Sequence, residues 1–305
     1  MTTNCDVIVL GGGAAGLSAA LYSTRAMLKT IVLENLGVGG QLLITDEIEN
    51  YPGFPEGETG QQLATNMQLQ AERFGAEINF STIEGVSDLD KETKIIHTDE
   101  GDIHAKAVII ATGGSHKTLG VPGEDALSGK GVSYCAVCDG NFFKGQDVIV
   151  IGGGDAAMDE SNYLTGIVNS VTIVHRRDEL RATKILQERA FANPKYKWLL
   201  SHVVEEFVGD DLLNAARVTN LKTGETYDYP TAAAFIYVGF EPNSAYISSL
   251  MDTDALGHIY TDMHMRTKLP RVYACGDIRA ESTRQLGTAV GDGITAALSA
   301  FHDLQ

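Results

Sequence analysis

A chain of 305 residues, 44% apolar and 21% charged, has the length for about two globular domains with sizeable cores. Its net charge of −17 argues against a nucleic-acid partner, because phosphate backbones are bound by basic surfaces. No apolar run approaches the ~20 residues that a bilayer span needs, and no basic region precedes an apolar stretch at the start, so no membrane contact and a cytoplasmic location are expected. In that compartment thiols stay reduced, so a close cysteine pair suggests redox or metal chemistry before a structural staple.

The chain opens on a short apolar strand, Asp6 to Leu10, that closes on Gly11-Gly12-Gly13. A helix is predicted from Ala14 to Met27 and a second strand from Thr30 to Leu33. Glycines in the pattern Gly11-x-Gly13-x-x-Gly16 allow a tight turn and a close backbone approach to a pyrophosphate, and the helix N-terminus offers free N–H donors. Glu34 ends the second strand, where a carboxylate accepts from ribose hydroxyls and repels a 2′-phosphate. Further on, Ala107 to Gly113 reads as a buried strand that again closes on glycine.

The pattern then repeats at an offset of 141 residues (147 − 6). Asp147 to Ile151 is the strand, Gly152-x-Gly154-x-x-Ala157 the turn, Asp155 to Leu164 the helix and Val171 to Val174 the next strand. Strand, helix and strand, twice over, predict an α/β fold with parallel sheets and right-handed crossovers. The position matching Glu34 is His175, followed by Arg176, Arg177 and, four residues beyond, Arg181. The charge has inverted, and guanidinium groups suit a 2′-phosphate. The first unit is thus built for an adenosine without that phosphate and the second for NADP.

Ala233 to Gly239 echoes the strand that closes the first unit. The remaining tail is too short for a third domain. Pro270 to Asp277 reads as one more strand and Arg284 to Phe301 as a closing helix, so the tail is expected to complete the first domain. The chain then crosses between domains twice, at Gly113-Gly114-Ser115 and at Gly239-Phe240-Glu241-Pro242, an arrangement that suits a hinge.

Between the two units lies Cys135-Ala136-Val137-Cys138-Asp139. A zinc site would need four ligands, yet Cys5 and Cys275 are isolated and no HxxxH-type histidine pair occurs, so no metal is expected. Incidental buried cysteines are the second reading. A redox dithiol is the third and the strongest. Asp139, directly after Cys138, can shuttle the proton that accompanies thiolate formation, or can cap a turn. Cys5 and Cys275 read as small buried hydrophobes.

These motifs, with Gly39-Gly40-Gln41, Glu49-Asn50-Tyr51-Pro52-Gly53, Ala111-Thr112-Gly113 and Gly276-Asp277 ahead of Arg284-Gln285, resemble those of the low-molecular-weight, bacterial-type thioredoxin reductases along essentially the whole chain. The resemblance implies two Rossmann-like dinucleotide-binding domains. A discontinuous FAD domain would span 1–116 and 245–305, with an NADPH domain inserted at 117–244. It implies FAD held by Gly11, Gly13, Ala14, Gly16 and Glu34, with Gly40, Gln41, Asn50, Thr112 and Gly113. Gly276, Asp277, Arg284 and Gln285 would join them from the tail. It implies NADPH held by Gly152, Gly154, Asp155 and Ala157 together with His175, Arg176, Arg177 and Arg181.

The same resemblance implies a homodimer whose domains rotate against each other. Cys138 would face the flavin, Cys135 would attack the disulfide of a thioredoxin, and Asp139 would serve as acid and base. A related flavin disulfide oxidoreductase or dithiol oxidase with another acceptor is the alternative. Two departures stand out: Cys275 precedes Gly276 where alanine is common, and Lys130 stands where arginine is common.

Overall fold

The fold is described from a computed structural model that covers residues 3–45 and 47–305. The chain divides into two units: Met1–Ser115 with Glu241–Gln305, and His116–Phe240.

In the first unit the opening strand, Thr3–Leu10, lies at the centre of a seven-stranded sheet. It pairs in parallel with Thr30–Glu34 on one side and with Gly101–Ile110 on the other. Its residues Val7 to Leu10 are fully buried, which explains their continuous apolar run: Val7 and Val9 share a core with the helices Ala14–Arg25 and Leu286–Leu304, and Ile8 and Leu10 one with the tail residues Ile247, Ile259 and Ile278, so no polar alternation survives. Each fully buried side chain of this kind contributes about 1.5–3 kcal/mol. On its other edge Gly101–Ile110 has two partners along its length. Its first half runs antiparallel to Lys94–Thr98, and its second half runs parallel to Val272–Ala274. The tail therefore completes this sheet, and its helix Leu286–Leu304 packs against the helix Ala14–Arg25.

The second unit has a five-stranded, all-parallel sheet in the order Val132–Ser133, Ala233–Ile236, Asp147–Ile151, Ser170–His175, Tyr196–Leu200. The repeat seen in the sequence holds in three dimensions. Ile8 faces Ile31, and its counterpart Ile149 faces Thr172, so the two strand pairs share one register. A three-stranded antiparallel sheet, His202–Gly209, Leu213–Asn220 and Thr226–Pro230, closes the unit.

Several predicted bounds shift. The first helix ends at Arg25 rather than Met27, because Met27 takes a left-handed φ of 62°. The last strand is only Val272–Ala274; the chain turns at Gly276, whose φ is 75°. The last helix starts at Leu286, with Gln285 as its N-cap in a capping box with Thr288.

Candidate functional site

The thiol turn belongs wholly to the second unit. Cys135 and Cys138 form a disulfide with their Cα atoms 5.3 Å apart. Cys135 is the N-cap of a single helical turn, Ala136–Asp139, and its Sγ accepts the Cys138 N–H at 3.1 Å. A backbone donor aimed at one sulfur favours negative charge there, so this turn is arranged to stabilise a thiolate on Cys135.

Three elements hold the turn. From the strand Val132–Ser133, the Ser133 hydroxyl donates to Asp139 Oδ2 at 2.6 Å and accepts the Cys135 N–H at 3.1 Å. Tyr237, just past the strand Ala233–Ile236, accepts the Ala136 N–H on its hydroxyl at 2.8 Å. Burial, with Glu160 adding to it, drives the Tyr237 phenol far above its ordinary range, so it stays protonated. From the third side the turn packs on the helix Asp155–Thr165. A Cβ at Gly140 would come within 2.9 Å of the Leu164 side chain, so the turn and the helix approach closely at this glycine. Ser133, Tyr237 and Glu160 carry no motif of their own and were not legible as site residues. Beside Asp139 a cleft of about 800 Å3 opens, walled by Lys130, Ser133, Phe142, Gln146 and Leu212. Phe142 is 78% exposed there.

The two glycine turns share one construction. A Cβ on Gly11 would lie 2.5 Å from Ala111 O, and a Cβ on Gly152 would lie 2.4 Å from Tyr237 O. Gly16 approaches the Gly11 carbonyl so closely that a Cβ would meet it at 1.9 Å. The helices Ala14–Arg25 and Asp155–Thr165 both begin without a side-chain cap, which leaves their first N–H groups free for a phosphate. Beside them Gly154 has no neighbour within 4 Å of an added Cβ, and Gly13 only Gly39 O at 4.0 Å. These open cradles have the form a pyrophosphate requires.

Glu34 accepts the Gly12 N–H at 2.8 Å on one oxygen and the Asn35 N–H at 2.8 Å on the other. Its carboxylate is thereby fixed beside the first turn. Gly40 lies over Gly13, an added Cβ being 3.3 Å from the Gly13 Cα, and Gly39 N bonds Gly12 O at 2.8 Å. Asn50 donates to Gln285 at 3.3 Å, and Gln41 to Gly114 O at 3.2 Å. Thr112 and Asn243 bond each other in both directions, at 3.0 and 2.9 Å. Gly113 is left-handed at φ 57°. Burial raises the carboxyl of Asp277 above its usual range, partly offset by the Arg284 guanidinium.

In the second unit Arg176, Arg177 and Arg181 are exposed at the end of the strand Ser170–His175, free to meet a ligand. His175 is placed differently. It is 5% exposed, and its ring lies against Gly153, where an added Cβ would meet it at 2.6 Å. Burial and then the three arginines hold its pKa below the ordinary value, so the ring is neutral. Arg181 N bonds Gly153 O at 2.6 Å, so the imidazole backs the same glycine that anchors the arginine loop. Asp155 is engaged within the unit as well, its carboxylate accepting the Thr183 N–H at 2.6 Å. Ala157 is buried under the turn. Cys5 is pushed up to about 12 by burial, and Cys275 is raised further by the same cause, so both remain thiols.

Residues 5–293 match the family described as pyridine nucleotide-disulphide oxidoreductase. The chain belongs to that family. It is similar to the thioredoxin reductase of Peptoclostridium litorale, at 46% identity over 97% of this chain and 95% of that protein. The thioredoxin reductase of Streptomyces coelicolor is 48% identical over 97% of this chain and 92% of its own length. The crystal structure of Lactococcus lactis thioredoxin reductase superposes with a TM-score of 0.96 at 44% identity, covering 98% of this chain and 99% of that one. Among the pyridine nucleotide-disulphide oxidoreductases it is therefore a thioredoxin reductase of the low-molecular-weight type, with its redox-active disulfide at Cys135–Cys138. The family implies FAD and a nicotinamide nucleotide, and the two open glycine cradles and the exposed arginine cluster fit such groups. No described helix is long and apolar enough to cross a membrane.

Proposed function

We propose that this chain carries two electrons from NADPH, by way of FAD, to the Cys135–Cys138 disulfide and on to the disulfide of a thioredoxin. The observation that supports it best is the disulfide set on a turn that directs a backbone donor at Cys135 Sγ, with the Asp139 carboxyl tied to the same turn. The first unit would hold FAD at Gly11, Gly13, Ala14, Gly16 and Glu34, with Gly40, Gln41, Asn50, Thr112, Gly113, Gly276, Asp277, Arg284 and Gln285 around it. The second would hold NADPH at Gly152, Gly154 and Ala157, with Arg176, Arg177 and Arg181 on the 2′-phosphate. FAD supplies two-electron transfer between the nicotinamide and the disulfide.

The protein's own part is thiol exchange. In the reduced dithiol the Cys135 thiolate attacks one sulfur of the partner disulfide, and the partner's second sulfur leaves as a thiolate. Cys138 then attacks Cys135 Sγ. This closes the intramolecular disulfide and frees the partner with one thiol and one thiolate, the latter taking its proton from water. Asp139 gives the departing thiolate its proton and recovers one from Cys138. A homodimer in the cytoplasm, with the domains rotating between half-reactions, belongs to the same proposal.

The test is NADPH oxidation coupled to thioredoxin. Flavin bleaching by NADPH, followed by stoichiometric appearance of thioredoxin thiols, is expected. NADPH consumption with no thiol produced would overturn the choice of acceptor.

A further inference from the structure

His258 is 2% exposed, and the thiol mechanism makes no use of it. It lies in the first unit, in the segment that runs beside the Gly276–Ile278 turn. Ile259 N bonds Ile278 O at 3.0 Å, and Ala280 N bonds Ile259 O at 2.8 Å. Its imidazole spans two charged groups. Nδ1 is 2.9 Å from Asp254 Oδ2, and Nε2 is 2.9 Å from Arg284 Nη2.

The tautomer follows from the chemistry of the partners. A guanidinium can only donate, so Nε2 accepts from Arg284. The proton therefore sits on Nδ1 and is donated to the carboxylate. Asp254 is itself immobilised, because its other oxygen accepts the Leu256 and His258 N–H groups, each at 2.9 Å. Arg284, by contrast, has a left-handed backbone at φ 56° and an exposed side chain. Left alone, such a side chain samples many rotamers, at a cost of about 2 kcal/mol when it must be fixed. The charges gathered around the imidazole are Asp254, Arg284 and Asp277.

We propose that Asp254 and His258 form a positioning pair that orients the Arg284 guanidinium for binding FAD. A neutral imidazole held by a carboxylate presents its lone pair to one edge of the guanidinium. The other edge is left for a ligand beside Asp277. His258 acts through Arg284 and is a positioning residue, not a catalytic one. The proposal rests on the reading of Arg284 as a flavin-binding residue.

The test is FAD binding to the apoprotein, followed by fluorescence quenching, with the thermal midpoint of each apoprotein recorded alongside. His258→Phe keeps the ring volume and removes both hydrogen bonds; FAD affinity should fall by about tenfold, the loss of one hydrogen bond to a charged group. His258→Gln offers one acceptor and one donor, and should restore affinity to within about twofold of wild type. In an Arg284→Ala background His258→Phe should cause no further loss. Should His258→Phe fail to fold, Asp254→Ala, at a partly exposed carboxylate, frees the imidazole and should weaken FAD by a smaller factor. If His258→Gln is no better than His258→Phe, or the loss persists without Arg284, the ring acts by packing and the proposal is overturned. It is overturned equally if Arg284→Ala weakens FAD while His258→Phe or Asp254→Ala does not. If Arg284→Ala itself leaves FAD affinity unchanged, the flavin role of Arg284 falls first, and the pair with it.

Discussion

Ser133 Oγ donates to Asp139 Oδ2 at 2.6 Å, and through the same oxygen it accepts the Cys135 N–H at 3.1 Å. One hydroxyl thus ties the carboxyl proposed to carry the proton to the cysteine proposed to attack. General acid–base groups contribute about 10²–10⁴-fold, so Asp139→Asn should slow thioredoxin turnover by about 10²-fold. Ser133→Ala removes a hydrogen bond to a charged group, worth about 1.5–3 kcal/mol, and should slow it by about tenfold. The double variant should be no slower than Asp139→Asn alone. Steady-state kcat at saturating thioredoxin measures all three, and additive losses would separate the two residues.

Arg176, Arg177 and Arg181 stand exposed beside a glycine turn whose cradle is open. Arg176→Ala should raise the KM for NADPH by about tenfold and leave that for NADH nearly unchanged, because only NADPH carries the 2′-phosphate. Equal losses with the two cofactors would remove Arg176 from phosphate recognition.

His175, placed by its motif among the phosphate ligands, is buried against Gly153 with a lowered pKa. The unfolded chain therefore takes up a proton before the folded one does. Stability owed to the neutral ring is complete above the unfolded value of about 6.5 and is lost as pH falls from there through the folded value. The urea midpoint should thus drop as pH falls below about 6.5, and His175→Gln should show a shallower pH dependence and a lower midpoint at pH 7. An unchanged slope would mean that other groups carry the acid limb.

Much of this architecture was legible because function is written in short, local patterns. The glycine turns, the cysteine pair and the sign change from Glu34 to the arginines each lie within one loop. The offset of 141 residues (147 − 6) carried over into an identical strand register. The antiparallel strands between Ile83 and Thr98, and between His202 and Pro230, left no such mark. They have one solvent face and bulged registers, so their alternation is broken. Ser133, Tyr237 and His258 were hidden for another reason. Ser133 belongs to no recognised pattern although its partners Cys135 and Asp139 are two and six residues away, whereas Tyr237 reaches Ala136 across 101 residues and His258 reaches Arg284 across 26. In the second unit the loop after Ala233–Ile236 is brought beside the thiol turn, and in the first the tail segment beside the Gly276–Ile278 turn, by pairings that no local spacing encodes.

Cys5 and Cys275 lie buried, and burial raises both thiols, Cys5 to about 12. In the reduced native protein at about pH 8, near the ordinary thiol range, iodoacetamide should label Cys135 and Cys138 and spare these two. Denaturation should expose all four. Peptide mass spectrometry after alkylation decides the matter, and native labelling of Cys275 would show that its thiol is reachable.

The central claim is that electrons leave the protein only through the Cys135–Cys138 pair. Cys138→Ser tests it most directly, assayed with NADPH and thioredoxin beside stopped-flow absorbance of the flavin. Normal flavin bleaching by NADPH is expected, with thioredoxin reduction lost to background. Retained thioredoxin turnover in that variant would contradict the claim.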